Sequence, residues 1–81
     1  MQNDQTLTLE DLVPGSEGRI AQIEGEKPFQ QRLFDLGFVP GTPVRLIRKA
    51  FLGDPLEVKL RGYHLAIRKT DARKILLQGL R

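Results

Sequence analysis

Residues Arg32 to Val44 constrain this chain most, because a helical apolar period stops there, a strand period starts, and two glycines separate them. Phe29, Leu33 and Leu36 fall at i, i+4 and i+7, one face of a short helix, and Pro28 suits its first turn, where the missing N–H is not needed. This spacing predicts a helix over Pro28–Leu36. Gly37 reads as its left-handed C-cap, since a residue without Cβ accepts positive φ cheaply. Pro40-Gly41 reads as a type II turn, with proline fixing φ at the first central position and glycine taking positive φ at the second. Beyond it Val44 and Leu46 alternate with Arg45 and Ile47, and a strand is expected over Val44–Lys49.

The rest of the chain is punctuated at similarly short intervals. Thr8-Leu9-Glu10-Asp11-Leu12 reads as one helical turn, with Thr8 its N-cap and Asp11 the capping-box partner, and Val13-Pro14-Gly15 ends it. A first strand is expected over Gly18–Ile23, with imperfect alternation, and the polar loop Glu24 to Lys27 leads into the helix. Phe51-Leu52-Gly53-Asp54-Pro55 connects the second strand to a third, in which Leu56, Val58 and Leu60 alternate with Glu57, Lys59 and Arg61. Arg61 to His64 turns the chain into a fourth strand that points Leu65 and Ile67 inward. Thr70 caps a single turn within Lys69–Lys74, and Ile75–Leu77 is the closing strand. About five short strands with short helices inserted predict a mainly β fold, a small, strongly bent sheet or partly open barrel. One domain over residues 7–77 is expected, with residues 1–6 and 78–81 as flexible tails.

A chain of 81 residues supports one modest core, with a stability on the order of 4 to 12 kcal/mol. Cysteine is absent and His64 is the single histidine, so no disulfide framework or thiolate metal site can form. A transition-metal site would need carboxylates, and these do not cluster at ligand spacings. No serine sits on a sharp elbow beside a base. Neither Gly15-Ser16-Glu17-Gly18 nor Gly37 to Gly41 runs on into the lysine and hydroxyl residue of a phosphate-binding loop. No enzymatic role, cofactor or metal is therefore expected, and His64 reads as a surface or hydrogen-bonded hairpin residue. The N-terminal residues lack the basic and apolar regions of a signal peptide, and no apolar run approaches the ~20 residues of a membrane span, so a soluble cytoplasmic protein is expected.

The net charge of +3, from 13 basic and 10 acidic residues, requires a test against anionic partners. The cations are scattered and interleaved with acids, whereas nucleic-acid barrels pair a basic groove with aromatic platforms. Phe29, Phe34 and Phe38 belong to the helix and its cap, where core packing accounts for them, which leaves only Phe51 and Tyr63. Nucleic acid is thus not the expected partner, and a barrel binding single strands is the alternative. Phe51-Leu52 is a more specific signal, two apolar residues in a loop ahead of the turn signal Gly53-Asp54-Pro55. Two readings of it stay open: Phe51 folds back over one end of the barrel, or the pair marks a contact site.

Several segments follow one another in a characteristic order: Leu9 to Gly15 (L-E-D-L-V-P-G), Gly18 to Ile23, Arg32 to Thr42 (R-L-F-D-L-G-F-V-P-G-T), Gly53-Asp54-Pro55, and Leu65 to Ile75 (L-A-I-R-K-T-D-A-R-K-I). From Leu7 to Leu77 the chain resembles the FeoA family, the small cytoplasmic component of bacterial ferrous iron transport. The resemblance implies an SH3-like β-barrel acting as a non-catalytic accessory or regulatory subunit of the FeoB transporter, a membrane protein with a cytoplasmic GTP-binding domain. It implies an adaptor rather than a carrier of iron. A related barrel forms the C-terminal module of iron-dependent repressors of the diphtheria-toxin-repressor type. No DNA-binding or metal-sensing segment precedes the barrel here, so the standalone transport protein is expected and a repressor-type metal-responsive module is a further alternative. On this reading Phe51, Leu52 and Asp54, with Arg32 and Arg48 as charged neighbours, are the candidate contacts to the transporter's cytoplasmic face. No direct membrane insertion is expected, and open edge strands leave room for a weak self-association.

Overall fold

Two β-bulges and one helix cap decide how these short elements come together. The structure, a computed structural model, describes residues 7–78. In chain order they form β1 (Leu7–Thr8), a 3₁₀ turn (Leu9–Asp11), β2 (Glu17–Ile23), α1 (Lys27–Leu36), β3 (Pro43–Lys49), a short turn (Phe51–Gly53), β4 (Leu56–Leu60), β5 (Tyr63–Ile67), α2 (Lys69–Ala72) and β6 (Ile75–Leu77). All strands join one antiparallel sheet in the order β1-β6-β2-β3-β4-β5.

β2 is the strand on which the sheet bends. Its first residues, Glu17 to Arg19, pair with β3, and its last, Ile20 to Ile23, pair with β6. A register shift between Ile20 and Gln22 breaks the alternation, so the buried positions run Gly18, Ile20 and then Ile23. The imperfect period of this strand is thus a bulge, the usual way to turn a sheet sharply. A second shift, between Leu46 and Arg48 on β3, ends its buried run of Val44 and Leu46 and leaves Arg48 and Lys49 outside. The two bends close the inner faces over a single apolar cluster that includes Leu9, Ile20, Leu33, Phe38, Leu46, Val58 and Ile75. Among the described residues no polar or charged side chain is buried.

The helix-to-strand joint follows its sequence signals closely. Gly37 is left-handed (φ 109), its N–H donates to the Phe34 carbonyl at 2.9 Å, and the Phe38 N–H donates to the Leu33 carbonyl at 3.0 Å. This is the double bond pattern of a Schellman cap, and the accompanying apolar contact is supplied by Leu33 and fully buried Phe38. Leu36, expected on the inner face, is instead 41% exposed, because the chain leaves the helix there and Phe38 takes the core position. The Pro40-Gly41 turn is closed by Thr42 N–H to the Val39 carbonyl at 3.0 Å with Gly41 at φ 93, as a type II turn requires.

Three further expectations are corrected, while the capping box at Thr8 is borne out. The strands number six among the described residues, because Leu7–Thr8 pairs with Leu76–Leu77, a partner that no local signal reveals. Thr8 and Asp11 do interact, the Thr8 N–H donating to Asp11 Oδ2 at 2.9 Å, although the turn between them is 3₁₀. Tyr63 and His64 lie on β5 rather than in the preceding turn, which is only Arg61-Gly62 with both residues at positive φ (52 and 88). Thr70 is not the cap of α2: the helix begins at Lys69, and Asp54 Oδ1 accepts the Lys69 N–H at 2.9 Å from a distant loop. Gln78 donates its N–H to the Arg19 carbonyl at 2.8 Å, while residues 1–6 and 79–81 lie outside the described residues.

Candidate functional site

The connection between β3 and β4 is a closed knuckle. The Ala50 N–H donates to the Pro55 carbonyl at 3.0 Å and the Gly53 N–H to the Ala50 carbonyl at 2.7 Å, so the loop is pinned at its base and across its turn. Leu52 sits in the left-handed region (φ 64, ψ 17), followed by Gly53 at φ 80, and the Asp54–Pro55 peptide is cis. A branched apolar residue at positive φ is disfavoured by roughly 1 to 2 kcal/mol, which the turn's hydrogen bond from Gly53 to Ala50 offsets only in part. Phe51 is 86% exposed and Leu52 78% exposed. Phe51 therefore does not fold back over the end of the barrel.

Beside the knuckle lies an open groove of about 430 Å³, lined by Arg48, Ala50, Pro55, Glu57, Leu65 and Ala66 together with Lys49 and His64. Cross-strand register builds it: Arg48 stands opposite Glu57, and Glu57 opposite Ala66. The Arg48 Nε donates to Glu57 Oε1 at 2.8 Å, and His64 Nδ1 is 3.8 Å from Glu57 Oε2. The groove thus combines apolar lining from Ala50, Pro55, Leu65 and Ala66 with one arginine–carboxylate pair, and Ala50 is the residue that precedes Phe51 in the chain. Its lining contains no nucleophile, base and orienting acid in sequence. Among the described residues there is also no group of three or more potential metal ligands.

The five residues proposed from sequence are not equivalent in the structure. Arg48, Phe51, Leu52 and Asp54 belong to β3 and the loop that follows it. Asp54 already has a duty, since its carboxylate caps α2. Arg32 lies on α1 with its guanidinium 5.4 Å from the centre of the Phe29 ring, and among the described residues no hydrogen bond or ion pair joins it to the knuckle. Glu57, His64 and Ala66 were missed as groove residues. The outward phases of the third and fourth strands were the available signals for Glu57 and Ala66, whereas His64 needed the correct start of β5.

Tyr63 has a structural role that its sequence position does not advertise. Its hydroxyl donates to the Leu36 carbonyl, the last residue of α1, and covers Gly37. Arg73 Nε donates to Glu10 Oε1 at 2.8 Å and ties the end of α2 to the first 3₁₀ turn. That hydrogen bond, and then the Glu10 charge, hold the Arg73 pKa above the usual arginine value. No helix among the described residues is long and apolar enough to cross a membrane.

Comparison with known proteins agrees with the fold. A model of the FeoA domain matches residues 7–78. The chain is 32% identical over 69 residues to an Fe(2+) transport protein A/Fe(2+) transporter FeoB fusion protein of Porphyromonas gingivalis; the match takes in 85% of the chain and spans only 8% of that relative's length. The NMR structure of a FeoA-like protein from Clostridium acetobutylicum superimposes with a TM-score of 0.84 at 32% identity, covering 96% of this chain and 91% of the other. FeoA of Stenotrophomonas maltophilia, a prokaryotic SH3 domain protein solved in complex with zinc, gives a TM-score of 0.78 at 26% identity over 89% of each chain. With the motif run, the bent six-stranded sheet and these matches in place, the chain is an SH3-like barrel that belongs to the FeoA family of ferrous iron transport.

Proposed function

We propose that this chain is a non-catalytic accessory subunit of ferrous iron uptake that binds the cytoplasmic part of a FeoB-type GTPase transporter, with Phe51 and Leu52 as the apolar anchor. The observation that carries the reading is the knuckle itself, which holds two large apolar side chains in water and one of them in a disfavoured backbone conformation. Strain retained at an exposed position is characteristic of a binding feature, because folding alone would have placed glycine or asparagine there. The fused relative supports the choice of partner, since covalent linkage raises the effective concentration of two modules that act together. Arg48 orients the partner from the wall of the groove, and Asp54 shapes the knuckle while capping α2. Arg32 contributes only where the partner reaches α1. The protein works in the cytoplasm and is held at the inner membrane face through the transporter.

Calorimetric titration against the transporter's isolated cytoplasmic domain, with and without guanine nucleotide, tests the proposal. The expected result is saturable binding that the combined change of Phe51→Ala and Leu52→Gly weakens by about 30-fold or more. No association at high micromolar concentration in either nucleotide state rejects this domain as the partner.

A further inference from the structure

The outer face of β2 to β5 carries a charge arrangement for which the Phe51–Leu52 anchor does not account. Strand register sets Glu17 opposite Arg45, Arg45 opposite Lys59, and Lys59 opposite His64, a single row across the sheet. Two cations directly across a strand pair disfavour that pairing. The nearby carboxylates are already engaged, Glu17 with Arg45 at 3.8 Å and Glu57 with Arg48 at 2.8 Å. Among the described residues Lys59 and Arg61 have no ion-pair partner. Together with Glu17, Pro43, Arg45 and Gly62 they line a second open groove, of about 330 Å³.

Arg61 adds an independent observation. It occupies the first position of the β4–β5 turn at φ 52, where asparagine, aspartate or glycine is accommodated more easily. The fold therefore tolerates a like-charge pair and a left-handed arginine side by side, with no internal partner for either Lys59 or Arg61. An anionic group in the groove removes the repulsion and gives both cations a partner.

We propose that this groove receives an acidic segment, through its glutamate or aspartate side chains, of a protein partner. Carboxylates fit better than a nucleic acid. Glu17 and Glu57 flank the cations and oppose a continuous phosphate backbone, and the hydroxyl of Tyr63, the aromatic nearest in the chain, is committed to the Leu36 carbonyl. Lys59 lies two residues from Glu57 on the same face of β4, about 7 Å along the strand, so the basic groove and the one beside the knuckle occupy neighbouring stretches of one sheet face. An extended segment with acidic residues followed by an apolar one spans both. The proposal rests on the proposed function for the identity of the partner, while the groove's preference for carboxylates stands independently of it.

The test is an NMR titration of isotopically labelled protein with an acetylated hexaglutamate peptide at low salt, with an oligothymidine of similar charge in parallel. Saturable shifts confined to the amides around Arg45, Lys59, Arg61 and Gly62 are expected, fading as ionic strength rises to ~0.3 M. Lys59→Gln and Arg61→Asn each weaken the complex about threefold to fivefold, and asparagine keeps the turn conformation, so loss of binding is separated from loss of fold. Uniform or unsaturable shifts, shifts centred elsewhere, unchanged affinity in both variants, or tighter binding of the oligothymidine overturn the assignment. Binding of hexaglutamate by a protein that ignores the transporter's cytoplasmic domain upholds the groove and rejects the partner named above.

Discussion

Removing the knuckle's side chains should leave the fold intact while weakening its binding. Phe51 is 86% exposed, so about a seventh of its surface is covered; for an aromatic of ~200 Å² that is ~30 Å², or roughly 0.7 kcal/mol of burial. Leu52, 78% exposed, contributes a comparable amount, against which stands the roughly 1 to 2 kcal/mol of its left-handed backbone. Glycine at position 52 releases that strain and gives back about 0.5 to 1 kcal/mol in chain freedom. The double variant Phe51→Ala with Leu52→Gly should therefore unfold in urea within about 1 kcal/mol of the parent. Its binding to the transporter's cytoplasmic domain should weaken by ~2 kcal/mol or more, the scale of an interface anchor. A loss of stability above ~2 kcal/mol would show that the pair supports the barrel after all, and parental stability with parental affinity would show that it does neither.

Gly37→Ala should cost about 2 to 3 kcal/mol in chemical denaturation, because it combines positive φ with a Cβ only 3.0 Å from Tyr63 Oη and 3.1 Å from Leu60 Cδ2. Gly41→Ala, at φ 93 with no atom within 4 Å of its Cβ, is the control and should cost about 1 kcal/mol less. Asp54→Ala should lower stability by about 1 kcal/mol through the lost cap of α2, with the amide of Lys69 becoming faster to exchange with solvent. The raised pKa of Arg73 means that its pairing with Glu10 is fully present below the ordinary arginine value and is lost only as pH rises through the shifted one; thermal midpoints between pH 6 and pH 9 should show no step that Arg73→Gln removes.

What was legible in the sequence is what short-range chemistry dictates. The helix, its glycine cap, the proline–glycine turn and the strands over Leu56–Leu60 and Ile75–Leu77 each announce themselves within a few residues, and the structure places them within one or two residues of expectation. The illegible parts depend on partners far along the chain. β1 exists only because β6 pairs with it, and α2 is capped by a carboxylate fifteen residues earlier rather than by its own threonine. The start of β5 was hidden because its two-residue turn is built from Arg61-Gly62 instead of asparagine–glycine, so an arginine in the left-handed region gave no turn signal. The site divides in the same way. Phe51-Leu52 stood out as an apolar pair in a turn, whereas both grooves are products of cross-strand register and could not be seen before the strands were aligned.

The central claim is that the partner is met at the knuckle and the groove beside it. NMR mapping of the labelled chain with the transporter's unlabelled cytoplasmic domain tests it most directly. The account predicts line broadening or shifts at Ala50 to Asp54, Glu57 and His64 to Ala66, with the helix face of α1 around Gln31 and Asp35 unaffected. Perturbation centred on α1, with the amides of Phe51 to Gly53 unchanged at saturation, would contradict it.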